Sequence, residues 1–182
     1  MIINILQLAN NDKKLWFAEN GRELKNKILD QVLKAPNNSL IILDLNEIEV
    51  MDTSYAREAF VKLITEIKLN SPRPQIFLKN VTEYVKQNLH LSFKDHKLFT
   101  LITDQLNKWN LIGKFSEQNF ETTKALIKRG EASAKLISKD LGGMGLSTTI
   151  NRLNQLYDFC ICTRRELIQP TGGKEYLFKI DI

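Results

Sequence analysis

The sequence has few of the residues that hold small proteins together covalently or through metals. Only two of its 182 residues are cysteine and only two are histidine. Two cysteines cannot form the disulfide network that stabilises small secreted domains, and their scarcity fits a reducing compartment. Cys160 and Cys162 lie far along the chain from His90 and His96, so no set of metal ligands occurs at close spacing. We therefore expect a cytoplasmic protein without a metal site and with two buried cysteines.

Long apolar runs and catalytic motifs are also missing. No segment approaches the ~20 apolar residues that a membrane-spanning helix needs. The apolar first eight residues lack a basic start and are followed by Asn10 and Asn11, which predicts a strand rather than a signal peptide. The sequence contains no P-loop, no nucleotide-binding glycine pattern after a strand and no His-Glu metal motif. These absences favour a protein without enzymatic activity, cofactor or membrane contact.

The chain does contain ample apolar material and a modest positive charge. Hydrophobic residues make up 43% of it, and the formal net charge is +5. A length of 182 residues allows one large domain or two small ones. A positive charge of this size is compatible with nucleic-acid binding but does not require it.

The first part of the chain alternates predicted strands and helices. Residues 40–45 form a continuous apolar run that suits a central strand, and residues 75–79 predict another strand. Apolar residues at helical spacing predict helices over residues 22–33, 56–67 and 81–89. Further elements are predicted as strands at residues 3–8, 15–18 and 98–102, and as a helix at residues 104–109. This alternation indicates βαβ units and at least partly parallel pairing.

This order and its local motifs resemble the STAS domain, a family named for sulfate transporters and anti-sigma factor antagonists. The motifs are Leu40-Ile41-Ile42-Leu43-Asp44-Leu45, then Met51-Asp52-Thr53-Ser54, then the segment from Gln75 to Val85. The resemblance covers roughly residues 1–112, and its motifs are short. It implies a mixed sheet flanked by helices and a module that binds a regulatory protein partner.

Ser54 has two alternative roles in the sequence. The STAS resemblance implies that it matches the serine that is phosphorylated in anti-sigma factor antagonists, although Tyr55 replaces the glycine of the family's pattern. From the residues alone, Asp52, Thr53 and Ser54 are all types preferred at helix N-caps, and a helix is predicted to begin here. A phosphorylation switch and a simple capping role both stay open.

The last third of the chain predicts two helices joined by a glycine turn. Ser133 opens a short helix, and residues 142–145 supply three glycines that allow a sharp change of direction. A second helix follows, with Ser147 as its predicted N-cap and an apolar stripe made of Leu146, Ile150, Leu153 and Tyr157. Its other side carries Thr148, Asn151, Arg152 and Gln155. Two helices joined in this way are typical of a helix-turn-helix.

Two further strands, at residues 159–165 and 174–180, are predicted to form a hairpin through a turn at residues 170–173. The combined pattern resembles the winged-helix family of DNA-binding domains, in which the second helix enters the major groove and the hairpin lies along the backbone. The resemblance implies that double-stranded DNA is bound by Ser147, Thr148, Thr149, Asn151, Arg152 and Gln155 in the helix, and by Arg164, Arg165 and Lys174 in the hairpin.

The chain is therefore predicted to form an α/β domain with a STAS-like mixed sheet over residues 1–114, followed by a small α+β winged helix-turn-helix domain over residues 115–182. One hypothesis is a transcription regulator that binds DNA as a homodimer, with a STAS-like module that receives a signal. The alternative is a protein-interaction adaptor whose winged helix docks protein. The adaptor is favoured by the weak local charge, since from Ser147 to Lys179 five basic residues stand beside three acidic ones.

Overall fold

The computed structural model describes residues 1–69, 73–106, 108–168 and 173–182. Most of the turn predicted at residues 170–173 lies outside these ranges. The first part of the chain is built on a five-stranded sheet of order β1-β3-β5-β6-β7. Its strands are β1 (Ile2–Asn4), β3 (Leu40–Asp44), β5 (Gln75–Lys79), β6 (Phe99–Thr103) and β7 (Trp109–Gly113). The first four pair in parallel and β7 pairs antiparallel to β6, so the expected mixed α/β sheet is confirmed.

Helices cover one face of this sheet. They are α1 (Ile5–Leu8), α2 (Ala18–Val32), α3 (Thr53–Ala56), α4 (Lys62–Ile67) and α5 (Glu83–Asp95). A π-helical segment at Arg57–Val61 joins α3 to α4, so that one continuous helix runs from Thr53 to Ile67. A small parallel pair, β2 (Lys14–Leu15) and β4 (Val50–Met51), lies beside the main sheet.

Three predicted elements in this part were wrong. The strand expected at residues 3–8 ends at Asn4, whose side chain accepts a hydrogen bond from Gln7 N and starts helix α1. The strand expected at residues 15–18 gives way to α2 at Ala18. The helix expected at residues 104–109 is replaced by a turn and β7, because Asp104 accepts hydrogen bonds from Leu106 N and Lys108 N and reverses the chain.

The strands of the sheet divide their side chains between two apolar clusters. Ile41 and Leu43 of β3 join the residues of α2 to α5 in the first cluster. Phe77, Phe99 and Leu101 face the other way, into a second cluster. This division follows from the alternation of side chains along a strand.

The C-terminal segment is a bundle of three helices with a three-stranded antiparallel sheet. Its elements are α6 (Glu117–Arg129), β8 (Glu131–Ser133), α7 (Ala134–Asp140), α8 (Leu146–Asp158), β9 (Thr163–Ile168) and β10 (Lys174–Lys179), with the sheet order β8-β10-β9. The strand expected at residues 159–165 begins only at Thr163. Cys160 and Cys162 are therefore not on one face of a strand, although both are buried, and they belong to different apolar clusters.

The C-terminal segment packs on the sheet face opposite α2 to α5. Phe77, Phe99 and Leu101 share the second cluster with Leu153 and Phe159. Polar contacts frame this junction: Ile76 N donates to Cys160 O at 2.7 Å, and Gln75 exchanges hydrogen bonds with the backbone of Asp181. The predicted domain boundary between residues 114 and 115 stays a prediction. Residues from both sides of that boundary share the second apolar cluster.

Candidate functional site

Helix α8 begins directly after the glycine turn. Gly142 and Gly143 have φ values of +73° and +82°, a backbone region that favours glycine. The helix starts at Leu146 with Gly145 as its N-cap and without a side-chain cap. The predicted capping role of Ser147 was therefore wrong, because Ser147 lies one residue inside the helix with its side chain exposed.

The buried face of α8 is rotated relative to the predicted stripe. Its buried residues are Thr149, Leu153, Leu156 and Tyr157, whereas Leu146 and Ile150 are 50% and 38% exposed. Thr149 was expected to face DNA, and this was wrong: it is fully buried and its hydroxyl donates to Gly145 O at 3.2 Å. The outer face therefore consists of Ser147, Thr148 and Asn151, all exposed, with Leu146 and Ile150 beside them.

Arg152 and Gln155 lie at the margin of this outer face and both have neighbours within the chain. The Arg152 guanidinium is half-buried against the sulfur of Met144 in the glycine turn. Gln155 Oε1 accepts a hydrogen bond from Asn119 Nδ2 of α6 at 2.9 Å. Gln155 therefore helps to hold α8 against α6, which reduces its freedom to contact a ligand.

The hairpin of β9 and β10 fixes Arg164 by stacking. Its guanidinium carbon lies 4.3 Å from the centre of the Tyr157 ring and 4.4 Å from that of Tyr176, within cation–π range of both. Arg164 Nη1 also donates to Asn154 Oδ1 of α8 at 3.1 Å. Arg164 thereby links the hairpin to the helix that it was predicted to assist.

The other two basic residues predicted in the hairpin form ion pairs. Arg165 makes a two-pronged contact to Glu131 at 2.7 and 2.8 Å, and Lys174 Nζ lies 3.0 Å from Glu166. The hydrogen bond from Arg165 holds the pKa of Glu131 below its ordinary value, against the opposing effect of burial. Exposed ion pairs contribute only ~0–1 kcal/mol. A phosphate group could therefore compete for Arg165 and Lys174 at small cost.

Sequence reasoning missed two basic residues on α7. Lys135 and Lys139 are exposed, and no carboxylate among the described residues lies within 4 Å of either ammonium group. Their i, i+4 spacing on the helix before the glycine turn was the signal that could have found them. They add positive charge to the helix pair beyond that of Arg152.

The loop around Ser54 is organised by Asp52. Asp52 is the N-cap of α3 and accepts hydrogen bonds from Tyr55 N, from Phe17 N and from Ser54 Oγ, at 2.6, 2.8 and 2.7 Å. Burial alone would raise the pKa of Asp52, but these bonds together lower it below its ordinary value. Ser54 itself is half-buried, and its hydroxyl supports the cap rather than forming it. The geometry leaves the phosphorylation hypothesis as a prediction.

Comparison with known proteins supports one part of this chain. Residues 20–86 match the family model of a STAS-like domain of unknown function. The match runs from α2 to the start of α5 and includes the Ser54 loop. No curated protein and no solved structure matches the chain. Within the described ranges, no helix is long and apolar enough to cross a bilayer, and no three His, Cys, Asp or Glu side chains group as metal ligands.

Proposed function

We propose that this protein is a cytoplasmic, non-enzymatic transcription regulator that binds double-stranded DNA through its C-terminal segment, with the STAS-like module as the receiver of a signal. The observation that carries the proposal is the order of elements after residue 115. The order is helix, strand, helix, glycine turn, helix and hairpin, and it supports the proposal because it resembles the order of elements in a winged helix-turn-helix. In this arrangement α8 is the reading helix and β9 with β10 is the wing.

The surface chemistry of α8 supports contacts to base edges more than to phosphates. Ser147, Thr148 and Asn151 offer hydroxyl and amide groups, and Ile150 offers an apolar contact of the kind that a thymine methyl accepts. Arg152 is the one basic residue of the helix. The phosphates would be contacted by Arg164, Arg165 and Lys174 of the hairpin and by Lys135 and Lys139 of α7. Each phosphate that these cations neutralise should add about −0.9 to the slope of log K against log salt concentration.

Fluorescence anisotropy with a pool of duplex DNA, at several salt concentrations, tests the proposal. We expect Arg152→Ala to weaken binding by ~1–3 kcal/mol if Arg152 contacts a base. The free energy of unfolding should fall by only about 0.5–1 kcal/mol, because the half-buried Arg152 loses its contact with the Met144 sulfur. Lys34→Ala, an exposed lysine just after α2, is the matched control for loss of one positive charge. Absence of binding at micromolar protein in low salt, or binding that does not depend on salt, would refute the proposal.

A protein-docking role for the same segment is the second candidate. The ion pairs of Arg165 with Glu131 and of Lys174 with Glu166 favour it, because they offer a surface of balanced charge. A pull-down from lysate of the native host, with and without nuclease, separates the two. A stoichiometric protein that stays bound after nuclease treatment supports the adaptor, whereas recovery of nucleic acid alone supports the regulator.

Two features of the signalling side are part of the proposal. A homodimer would present two copies of α8 to two half-sites of an operator, and light scattering of the intact chain measures its mass. A phosphate on Ser54 would add about −1.5 to −2 charge beside the Asp52 carboxylate. Ser54 Oγ lies 2.7 Å from Asp52 Oδ1, so the added charge would displace the hydrogen bond that they share. Such a change at the start of α3 would alter the surface offered to a partner.

A further inference from the structure

A cavity of about 340 Å³ opens between helix α2 and the segment from Leu8 to Trp16. This volume lies at the small end of the range for ligand sites. Its walls are mostly polar and include two carboxylates, Asp12 and Glu23, with the indole of Trp16 and the ring of Tyr55. Neither the helix α8 nor the hairpin contributes to it, so it is separate from the proposed DNA-binding surface.

Tyr55 is the residue of this cavity that lacks a partner. It is only 2% exposed, yet its hydroxyl makes no hydrogen bond with any of the residues that the structure describes. Burial, followed by the charges of Asp12 and Glu23, raises the pKa of the phenol well above its ordinary value. The phenol therefore stays protonated, and Tyr55 lines the same cavity as both carboxylates. Since the Tyr55 hydroxyl is open to the cavity, a ligand there can form the hydrogen bond that the described residues do not supply.

The two carboxylates are also free of internal counter-ions. Among the described residues, no lysine or arginine nitrogen lies within 4 Å of Asp12 or Glu23. Two lysines line the cavity as well, but Lys27 donates to the carbonyl of Leu8 at 3.0 Å. Asp12 and Glu23 therefore line the same cavity as Tyr55 without a counter-ion of their own among the described residues.

We propose that this cavity binds a small organic cation that carries an ammonium group. Its charge would lie between the carboxylates of Asp12 and Glu23, one of its N–H groups would donate to the Tyr55 oxygen, and its carbon chain would lie against the Trp16 indole. A positive group next to an indole gains a further cation–π contribution. An anion would meet two carboxylates, and a neutral alcohol would leave them without a counter-charge.

This site does not depend on DNA binding and can be tested in the intact chain. The chain has two tryptophans, so Trp109→Phe leaves Trp16 as the only indole reporter. We expect n-butylamine to change the Trp16 emission with saturation at about millimolar concentration, as fits so small a ligand. n-Butanol and butyrate, at equal ionic strength, should give no saturable change. They match the amine in length but lack its positive charge.

Three variants in the Trp109→Phe background assign the effect to the cavity. Glu23→Gln should weaken n-butylamine binding by about tenfold, because it removes one of two charges but keeps the shape. Glu19→Gln, on the exposed first turn of the same helix and outside the cavity, should leave the affinity unchanged. Tyr55→Phe should weaken binding several-fold, and the far-UV circular dichroism of each variant checks its fold. No saturable response to n-butylamine, a stronger response to butyrate, or equal affinity in Glu23→Gln and Glu19→Gln would overturn the proposal.

Discussion

Phe99→Ala is the substitution that tests whether the two parts of the chain form one folding unit. Phe99 is fully buried in the cluster shared by the sheet and the C-terminal segment. Its ring packs edge-to-face on Phe159, with centroids 5.0 Å apart, and against Phe115 at 6.3 Å. Truncation of a buried phenylalanine costs ~3–5 kcal/mol, a large share of the ~5–15 kcal/mol that stabilises an ordinary protein. Because the ring contacts both parts, its loss should destabilise both.

Urea unfolding with two local reporters measures this coupling. Trp16 lies beside α2 in the first part, and Trp109 stacks on Phe120 of α6 with ring centroids 5.0 Å apart. Single-tryptophan proteins, made by Trp109→Phe or Trp16→Phe, therefore report the two regions separately. For a loss of ~4 kcal/mol and a slope of ~2 kcal/mol per molar urea, Phe99→Ala should lower the midpoint by about 2 M. The shift should be the same for both reporters.

Tyr84→Ala is the control, because Tyr84 is 57% exposed on α5 and should change stability by less than ~0.5 kcal/mol. Two results would contradict this coupling. One is that the two reporters unfold at different urea concentrations in the parent protein. The other is that Phe99→Ala shifts the Trp109 transition and leaves the Trp16 transition in place. Either result would mean that the shared apolar cluster does not couple the two parts.

Three further predictions concern the backbone and the Ser54 loop. Gly113→Ala should lower the free energy of unfolding by ~2–4 kcal/mol in urea titrations, because φ is +99° and an added Cβ would lie 2.8 Å from Phe93 Cβ. Gly142→Ala, at φ +73° in open space, should cost only ~1 kcal/mol. The pKa of Asp52 is lower in the folded state than in the unfolded state. Its contribution to the free energy of unfolding is therefore complete above the unfolded-state pKa of ~3.9 and is lost as the pH falls through the folded-state pKa. Asp52→Asn should therefore flatten the acid limb of a plot of stability against pH, and an unchanged limb would contradict this. Ser54→Asp should lower the melting temperature more than Ser54→Ala, because it places a second carboxylate beside Asp52.

The sheet and its helices could be predicted because their signals are local. The apolar run at residues 40–45 and the strand at residues 75–79 appear as β3 and β5, since buried parallel strands need little beyond apolar residues. Two of the wrong elements lie where a polar side chain accepts a hydrogen bond from the backbone. Asn4 ends the first strand and starts helix α1, and Asp104 turns the chain where apolar residues favoured a helix. Such side-chain bonds to the backbone are weak signals in a single sequence.

The outer face of α8 was predicted with an error in rotation. Leu146 and Ile150 have the right spacing for an apolar stripe, but the core takes Thr149 and Leu156 instead. Thr149 can be buried because Gly145 O accepts its hydroxyl, which removes the cost of an unsatisfied polar group. Whether a threonine finds such a partner depends on the fold around it. The periodicity alone therefore could not separate the two faces at this position.

Tyr157 is the residue that ties the proposed reading helix to both neighbouring structures. On the sheet side, Arg73 N donates to the Tyr157 hydroxyl at 3.2 Å, and the Arg73 guanidinium lies over the ring and pairs with Asp158 at 2.6 Å. On the hairpin side, the ring contacts Arg164, which is itself stacked on Tyr176. Arg73 stands two residues before β5, in the segment that the STAS-like family model covers. A displacement of α8 relative to the sheet would break the hydrogen bond, the stacking contact and the ion pair together. Because all three contacts join α8 to the segment just before β5, they hold the end of α8 in one position relative to the sheet.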